Sequence, residues 1–378
     1  MSHIAGSGFS EGRPFANGLF YSIVILEDHC SVDRFLQINV PQIVVMDNLY
    51  PLLMLPEFSP RPWGTRDLSP IYPNRQFEEK MGEAWLTGDD CKVANGPLTG
   101  QTLAQVSEKY QRELVGDAAR DAARFPLLLK FLFPHEKLSV QVHPDDAQAR
   151  RVSQPWGKTE CWYVAHAKPG AQIGLGLKPG VTVSQLEHAI HEKRAEELLN
   201  WLNVYTGDMI YVSGGTVHTL GPGSVIVETQ QQSDTTYRLY DYGRPRELHL
   251  KEGLDAVKLG VSSGKVVRPA PAQIPGRNNR QGLLVAAPYF VVDMFEIKDV
   301  QELSTHDDSG KSSAQILVAV EGCGVMETAN AEPVTVAKGD AVVIPALVGN
   351  FTVRPQWTLE FLRARVPGTA LPEPETRM

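Results

Sequence analysis

Residues 138–145 read LSVQVHPD, and this stretch is the most informative one in the chain. Apolar and polar residues alternate along it, which is the pattern of a β-strand with one buried face. Gln141 and His143 are two positions apart, so both side chains point from the same face of that strand. The pair suggests a binding site. Taken alone, it also fits a hydrogen-bonded core histidine beside a glutamine at a strand edge.

Two later segments supply the rest of a possible ligand set. Residues 157–164, GKTECWYV, have a strand pattern with Glu160 near its start, and residues 214–218, GGTVH, place His218 just after a glycine turn. One glutamine oxygen, two imidazole nitrogens and one carboxylate oxygen suit a borderline divalent cation such as zinc, with room left for water or substrate. The three segments together therefore predict a metal site.

The composition is that of a globular protein. The 378 residues are 42% hydrophobic and 21% charged, which excludes wholesale disorder and leaves enough core for two or three domains. The formal charge of −8 argues against a nucleic-acid-binding protein, which would usually be basic. The apolar run at residues 19–26 is shorter than the about 18 residues that span a bilayer, so we expect no membrane segment and no secretory signal.

The cysteines are few and widely spaced. They form no CxxC pair, which is typical of reduced thiols rather than of a disulfide framework. Their positions are Cys30, Cys91, Cys161 and Cys323. We therefore expect the protein to be cytoplasmic.

Beyond Met46 the chain consists mostly of short β-branched runs separated by glycine and proline, which predicts antiparallel strands in a sandwich or barrel. Residues 1–45 lack this pattern, and we expect an extension that is poorly ordered or outside the core fold. A linker rich in valine, proline, alanine and glycine runs from about residue 261 to 279. The predicted domains are a metal-binding domain at 46–265 and a second domain at 280–378.

Two helices are expected to interrupt the strands. Thr102 and Gln105 form a capping-box pair ahead of apolar residues at helical spacing. Ser184 and Glu187 repeat the pair, and the apolar spacing after them predicts a helix as far as Leu202.

A weak internal repeat relates the two predicted domains. Residues 207–212, GDMIYV, resemble residues 339–344, GDAVVI, and residues 160–165 resemble residues 314–319. The first copy is longer, by about the length of the second predicted helix. That helix is therefore interpreted as an insertion in the first copy.

The second copy of the repeat has lost ligand residues. Asn350 stands where the repeat would place His218, and Ala314 stands where it would place Glu160. The repeat therefore predicts that the second domain keeps the strands and binds no metal.

These motifs resemble the two-cupin pattern, and they are most similar to type I mannose-6-phosphate isomerases in their short bacterial form. The resemblance extends from about Asn48 to Pro367. Besides the three ligand segments, it rests on PWG at 62–64, GEAW at 82–85, ETQQ at 228–231 and SDTTYRLYDY at 233–242. Ser213 and Pro222 depart from the general cupin motif, although they lie in a turn and not at the ligands. The family implies a mainly all-β fold of two cupin-type β-sandwich or jelly-roll barrels with inserted helices.

The resemblance also implies a metal and an activity. One zinc ion per chain would be held by Gln141, His143, Glu160 and His218. The activity would be the interconversion of mannose 6-phosphate and fructose 6-phosphate through a cis-enediol. A zinc ion beside the enediol oxygens would stabilise the negative charge that they gather.

Further site residues follow from the same resemblance. Arg238, Lys158 and Glu228 fall on catalytic positions, and Ser139, Lys158 and Arg238 on substrate-binding positions. Arg238 would clamp phosphate or enediol oxygens, Lys158 would stabilise substrate charge or transfer a proton, and Glu228 would be the general base if burial raises its pKa. Two alternatives stay open, in which Lys158 is a solvated charge at a strand edge and Glu228 forms a structural pair with Arg238.

Two other functions also stay open at this point. One is a metal-dependent cupin oxidoreductase of the dioxygenase kind, and the other is a non-catalytic sugar-binding cupin. Lys158 and Arg238 favour the isomerase, because a dioxygenase needs no phosphate clamp. We expect a small sugar phosphate as the partner, with no nucleic acid and no membrane. The sequence does not fix the oligomeric state, and a monomer is the expectation.

Overall fold

Strands dominate the part of the chain that the structure describes. The structure, a computed structural model, describes residues 49–260 and 262–378. The predictions for residues 1–45 and for Cys30 lie outside these ranges. In the first range the strands are β1 (Leu52–Met54), β2 (Glu57–Asp67), β3 (Gln76–Trp85), β4 (Leu127–Leu132), β5 (Val140–Val142), β6 (Glu160–Ala167), β7 (Gln172–Leu177), β8 (Leu199–Asn203), β9 (Met209–Val212), β10 (His218–Leu220), β11 (Ser224–Gln231) and β12 (Tyr237–Tyr240).

The second range adds strands up to the last residues. They are β13 (Ser263–Val266), β14 (Ala272–Gln273), β15 (Arg280–Ala286), β16 (Val291–Ile297), β17 (Gln301–Ser304), β18 (Gln315–Thr328), β19 (Ala331–Ala337), β20 (Ala341–Ile344), β21 (Asn350–Arg365) and β22 (Thr376–Arg377). The helices are α1 (Leu103–Tyr110), α2 (Arg112–Val115), α3 (Asp146–Arg151), α4 (Val183–His191) and α5 (Leu250–Ala256). The prediction of a mainly all-β fold is confirmed. Within the described residues no helix is both long and apolar enough to cross a membrane.

Two antiparallel sheets pack face to face around the predicted ligand strands. A five-stranded sheet has the order β12-β5-β10-β7-β8, and an eight-stranded sheet has the order β2-β3-β4-β11-β6-β9-β13-β22, counted over the described residues. Trp162, Ile210 and Ile226 of the larger sheet pack against Ile173 and Leu220 of the smaller one. This apolar layer holds the two sheets together. Polar side chains that point into the same space are consequently exceptional.

The rest of the described chain forms a nine-stranded antiparallel sheet. Its main path is β1-β20-β18-β21-β16-β15-β14, with β19 on β18 and β17 on β21. The two long strands, β18 and β21, bend, and their pairing shifts register on both sides of Gly322. Gly322 has a φ of 78°, and a Cβ there would lie 2.0 Å from the carbonyl oxygen of Thr358, so this bulge requires glycine. The bent sheet encloses an apolar core that includes Phe295 and Phe361.

Strand pairing ties the beginning and the end of the described chain to opposite sheets. Strand β1 pairs with β20 in the nine-stranded sheet, and β22 pairs with β13 in the eight-stranded sheet. A shared core that contains Phe131, Tyr211, Phe290 and Ile316 lies between these two sheets. The proposed division into domains at 46–265 and 280–378 is therefore crossed by both hydrogen bonds and packing.

The first predicted helix is confirmed, and the second needs correction. Helix α1 begins after Thr102, whose side chain forms the capping box with Gln105. Helix α4 is capped by Thr182 with Gln185, not by Ser184 with Glu187, and it ends at His191. Residues as far as Leu202, predicted to be helical, form instead a short 3-10 turn and strand β8, because that segment pairs with β7.

The repeat corresponds to equivalent strand pairs. Strands β6 and β9 are antiparallel neighbours in the first copy, as are β18 and β20 in the second. The predicted linker at 261–279 is only partly irregular, since β13 and β14 lie within it and each pairs with a sheet. The described cysteines, Cys91, Cys161 and Cys323, are free thiols.

Candidate metal centre and active site

Three buried side chains converge between the two packed sheets. His143 follows β5, His218 opens β10 in the neighbouring position, and Glu160 opens β6 in the facing sheet. Nε2 of His143 lies 3.5 Å from Oε2 of Glu160, and Nε2 of His218 lies 3.5 Å from Oε1. Among the described residues, His143, Glu160 and His218 form the group of side chains that lie close enough together to hold a metal ion. The three sequence segments therefore do meet.

Both histidines present the nitrogen that a metal needs. Nδ1 of His143 lies 3.0 Å from the carbonyl oxygen of Thr235, and Nδ1 of His218 lies 2.9 Å from that of Thr216. A carbonyl can only accept, so each Nδ1 carries the hydrogen and each Nε2 presents its lone pair. Burial lowers the pKa of His218 to about 4 and the pKa of His143 well below its usual value. Both rings are therefore neutral at physiological pH.

The carboxylate of Glu160 lacks a hydrogen-bond donor. Both of its oxygens are buried without a hydrogen-bond partner, and Nε2 of His143 is equally unsatisfied. Burial, followed by the negative charge of Glu228, raises the pKa of Glu160 to about 8. Unsatisfied buried acceptors are costly unless something compensates them, and a divalent cation would do so. Adjacent ligands of a tetrahedral ion with bonds of about 2.1 Å lie about 3.4 Å apart. The residues present fit such an ion.

Gln141 lies at the same point, next to His218. The two residues are directly opposite each other in the pairing of β5 with β10, and the side-chain amide of Gln141 lies 3.2 Å from Nε2 of His218. The hydroxyl of Ser139 donates to the other end of that amide at 3.1 Å. The oxygen and nitrogen of an amide are interchanged by a flip, which would turn the oxygen of Gln141 toward the ion and the nitrogen toward Ser139. Ser139 thus contacts a ligand position directly.

Lys158 is buried beside the carboxylate. It is 4% exposed, and its Nζ lies 3.6 Å from Oε2 of Glu160. The alternative of a solvated charge at a strand edge is wrong. A buried ammonium next to a candidate ligand can act on an anionic molecule in the same cavity.

A second buried lysine was missed from the sequence. Lys130 of β4 is 2% exposed, and its Nζ lies 3.3 Å from Asp234 Oδ1 and 3.7 Å from Glu228 Oε2. The ammonium also lies 4.1 Å from the centre of the Trp85 ring. Burial opposes the charged form, but the charges of nearby carboxylates outweigh it and raise the pKa. The available signal was a single charge inside the apolar run LLLKFL at residues 127–132.

Glu228 is buried and is held on two sides. Nε1 of Trp162 donates to its Oε1 at 3.2 Å, and Lys130 is its ionic partner. Among the ion pairs of the described residues, none joins Glu228 to Arg238, so the alternative of a structural pair between them is wrong. Glu228 is close enough to Glu160 for its charge to shift that pKa. It can therefore serve proton transfer next to the candidate ion.

Arg238 lies on the ligand face of the five-stranded sheet. It is directly opposite Gln141 in the pairing of β12 with β5, so the two side chains share a face. Its Nη1 donates to the carbonyl oxygen of Glu247 at 2.8 Å, whereas its buried Nε has no partner. Burial, and then the charge of Arg246, lower its pKa. The unpartnered Nε is a donor available to a bound molecule.

Comparison with known proteins supplies the family. The model of the type I phosphomannose isomerase catalytic domain matches residues 65–155. A mannose-6-phosphate isomerase of Streptococcus mutans is 32% identical over 305 residues, which are 78% of this chain and 92% of that protein. The chain belongs to the mannose-6-phosphate isomerase family.

Two relatives from Bacillus subtilis agree with this assignment. One mannose-6-phosphate isomerase is 39% identical over 219 residues, covering 55% of this chain and 68% of that protein. The crystal structure of a mannose 6-phosphate isomerase superposes with a TM-score of 0.73 and 31% identity, covering 83% of this chain and 99% of the other. The family prediction is confirmed, and the cupin-type fold agrees with these mannose-6-phosphate isomerases.

Several more charged groups surround the candidate ligands. They are linked through contacts and close charges and include Glu83, Glu160, Glu228, Asp234, Arg61, Lys130, Lys158 and Arg238. Membership in the family also disfavours the oxidoreductase and the non-catalytic sugar-binding alternatives.

Proposed function

We propose that this chain interconverts mannose 6-phosphate and fructose 6-phosphate through a cis-enediol, with one zinc ion held by Gln141, His143, Glu160 and His218. The observation that carries the proposal is the orphaned Glu160 carboxylate between two neutral histidines. A set of one anionic and three neutral ligands leaves a bound divalent ion with about one positive charge, which keeps it electrophilic. When bound, zinc would supply Lewis-acid stabilisation of the substrate oxygens at C1 and C2.

The proton has a candidate carrier in Glu228. Moving the carbonyl from C1 to C2 requires that the proton on C2 be transferred to C1 and that the hydroxyl proton on O2 be transferred to O1, the neighbouring oxygen of the enediol. Glu228 can accept the first proton at Oε1 or Oε2 and return it to C1 from the same face. Trp162 and Lys130 fix the direction of this carboxylate through contacts of 3.2 and 3.7 Å. Proton transfer needs such fixed geometry.

The buried cations suit an anionic substrate. Lys130 and Lys158 are almost fully buried, and the free Nε of Arg238 faces the same cavity side as Gln141. A phosphate monoester carries about −1.5 to −2 charges at neutral pH. The two buried ammonium groups and the proposed ion would attract this charge. The lysines and Arg238 would hold the phosphate and the developing oxyanion and exclude uncharged sugars.

The second domain is proposed to be free of metal. Its repeat positions carry Ala314 and Asn350, and elsewhere in residues 49–260 and 262–378 no further group of three His, Cys, Asp or Glu side chains lies at metal-binding distance. The proposed organisation therefore has one catalytic cupin domain at 46–265 and one cupin domain at 280–378 without ligands. We propose a monomer as the working unit.

A coupled assay tests the proposal. Formation of fructose 6-phosphate from mannose 6-phosphate is followed with purified protein, with protein stripped by a chelator, and with stripped protein given back zinc. We expect the purified protein to be active, the stripped protein to be inactive, and added zinc to restore activity. Elemental analysis should give about one zinc per chain. Unphosphorylated mannose is the control substrate and should react far more slowly. Full activity in stripped protein, or two zinc ions per chain, would contradict the metal proposal, and absence of conversion would contradict the isomerase itself.

A further inference from the structure

The three segments that carry the proposed ligands meet at one turn, residues 144–146. The amide of Gly215 donates to the carbonyl oxygen of His143 at 2.7 Å, and the amide of Lys158 donates to that of Pro144 at 2.9 Å. Gly157 packs so closely that a Cβ on it would lie 2.5 Å from the carbonyl carbon of Asp145. The turn therefore sets the relative positions of all three ligand segments.

The carboxylate of Asp146 is the polar centre of this turn. Its Oδ1 accepts from the amide of Gly157 at 3.0 Å and from Nε2 of Gln231 at 2.9 Å. Gln231 in turn accepts from the amide of Thr159 at 2.9 Å through its Oε1. The backbone on both sides of Lys158, directly before Glu160, is thus anchored to one carboxylate.

The other oxygen of Asp146 is held from outside the two packed sheets. Nη1 of Arg120 donates to Oδ2 at 2.5 Å, and the hydroxyl of Tyr289 donates to it at 3.2 Å. Tyr289 lies between β15 and β16, in the nine-stranded sheet, and its ring stacks under the guanidinium of Arg120 at 4.9 Å. The nine-stranded sheet supplies none of the proposed metal ligands. Through Tyr289 it nevertheless contacts Asp146, which anchors the segment before β6.

We propose that Asp146 is a positioning residue for the metal ligand Glu160, and that Tyr289 makes the affinity for metal depend on the nine-stranded sheet. The proposal rests on the proposed metal function. Glu160 is the first residue of β6, where it pairs with Gln230 on one side and with Val212 on the other, and residues 157–159 lead directly into it. Partners that orient a ligand typically change metal affinity about 10- to 100-fold when removed. Asp146 and Gln231 occupy that role through the backbone.

Two measurements on the full-length protein test the proposal. Zinc affinity is measured by competition with a chromogenic chelator, and amide hydrogen exchange of residues 157–160 is measured in metal-free protein. The variants are Gln231→Met, Asp146→Asn and Tyr289→Phe. Gln231→Met and Asp146→Asn should weaken zinc binding about 10- to 100-fold and speed exchange at residues 157–160. Tyr289→Phe should act in the same direction and more weakly, since one bond is lost and the ring remains.

The chain offers a matched control for each kind of change. Gln232→Met alters the next residue, which is equally buried and also donates to an aspartate, Asp89, at 2.6 Å. Tyr72→Phe removes another hydroxyl contact that crosses between the sheets, to the carbonyl oxygen of Gly339 at 2.8 Å. Neither contacts residues 157–160, so zinc affinity and the exchange of that segment should stay at wild-type values even if the melting temperature falls.

The possible outcomes separate the two proposals. Unchanged zinc affinity and unchanged exchange in Gln231→Met and Asp146→Asn would overturn the positioning role, as would equal effects in the controls. If wild-type protein binds no zinc, the proposed metal function fails, and the exchange measurement alone decides whether Asp146 fixes the segment before Glu160. A fall in melting temperature alone, without either effect, would show that Asp146 is merely structural and overturn the proposal.

Discussion

Replacing Lys130 by methionine is a strong test of the electrostatics of the site. The substitution keeps the length of the side chain and removes its charge, which leaves Glu228 without its ionic partner. At 3.7 Å and an effective dielectric constant of about 20, the Lys130–Glu228 attraction is about 4.5 kcal/mol. Asp234 contributes less than its 3.3 Å contact suggests, because its side chain is 58% exposed and its charge is screened by water.

The expected loss of unfolding free energy in Lys130→Met is therefore about 3–5 kcal/mol, the range found when one member of a buried ion pair is removed. For the roughly 330 described residues this corresponds to a fall in melting temperature of roughly 4–7 °C. Lys137→Met is the matched control, since Lys137 also pairs with a carboxylate, Glu196, and lies over a tryptophan, Trp201. Both members of that pair are partly exposed, so the control should lose less than about 1 kcal/mol.

A double variant separates charge from packing. In Lys130→Met/Glu228→Gln both members of this pair are uncharged, and much of the lost stability should return, because Glu83 keeps Arg61 as its partner and Asp234 is 58% exposed. Thermal and urea unfolding of zinc-supplemented protein measure all three variants. Equal destabilisation of Lys130→Met and Lys137→Met, or no recovery in the double variant, would refute the view that a buried charge pair dominates at this position.

Three further predictions concern the substrate clamp, the carboxylate and the first residues. Arg238→Ala should lower kcat/KM about 30- to 1000-fold with metal content intact, and Lys158→Ala should also lower turnover. Arg238→Lys should recover little activity, because an ammonium cannot reproduce the two parallel hydrogen bonds of a guanidinium. Near-normal rates in both alanine variants would contradict the sugar-phosphate mechanism. The pKa of Glu160 is raised in the folded protein, so its contribution to stability is complete at low pH and is lost as pH rises toward about 8. Metal-free protein should therefore melt at a lower temperature at pH 8 than at pH 6.5. Bound zinc should remove this fall of melting temperature with pH. The same fall in zinc-bound protein would contradict the assignment of Glu160 as a metal ligand. A chain that begins at Met46 should keep its melting temperature and activity; a large loss of either would show that residues 1–45 belong to the fold.

Local sequence patterns were sufficient for the ligand strands. The alternation around Gln141 and His143 and the glycines before His218 act over a few residues, so the strands and turns could be predicted without knowing their partners. Helix α1 was predicted for the same reason, because its capping box is complete within four residues. Convergence of the three segments followed from the chemistry of a common ligand set.

Other features depend on distant partners and could not be predicted in this way. Leu199–Asn203 continues an apolar helical spacing, yet it is a strand because β7 lies beside it. Lys130 is one charge in an apolar run, and nothing nearby in sequence indicates that Glu228 and Asp234 would surround it. Likewise β13 and β14 are short, and only their pairing with other strands makes them part of a sheet.

The pairing of β1 with β20 has a consequence for how the protein is made. Leu52 and Met54 are fully buried in the finished sheet, but their neighbours at Ala341–Ile344 are synthesised far later. At about 5–20 residues per second, a ribosome needs roughly 15–60 s to make the residues between them. During that interval the first strand is an unpaired apolar edge exposed to the cell. A chain released before Ala341–Ile344 is made would keep this apolar strand unpaired, and an unpaired apolar strand favours aggregation.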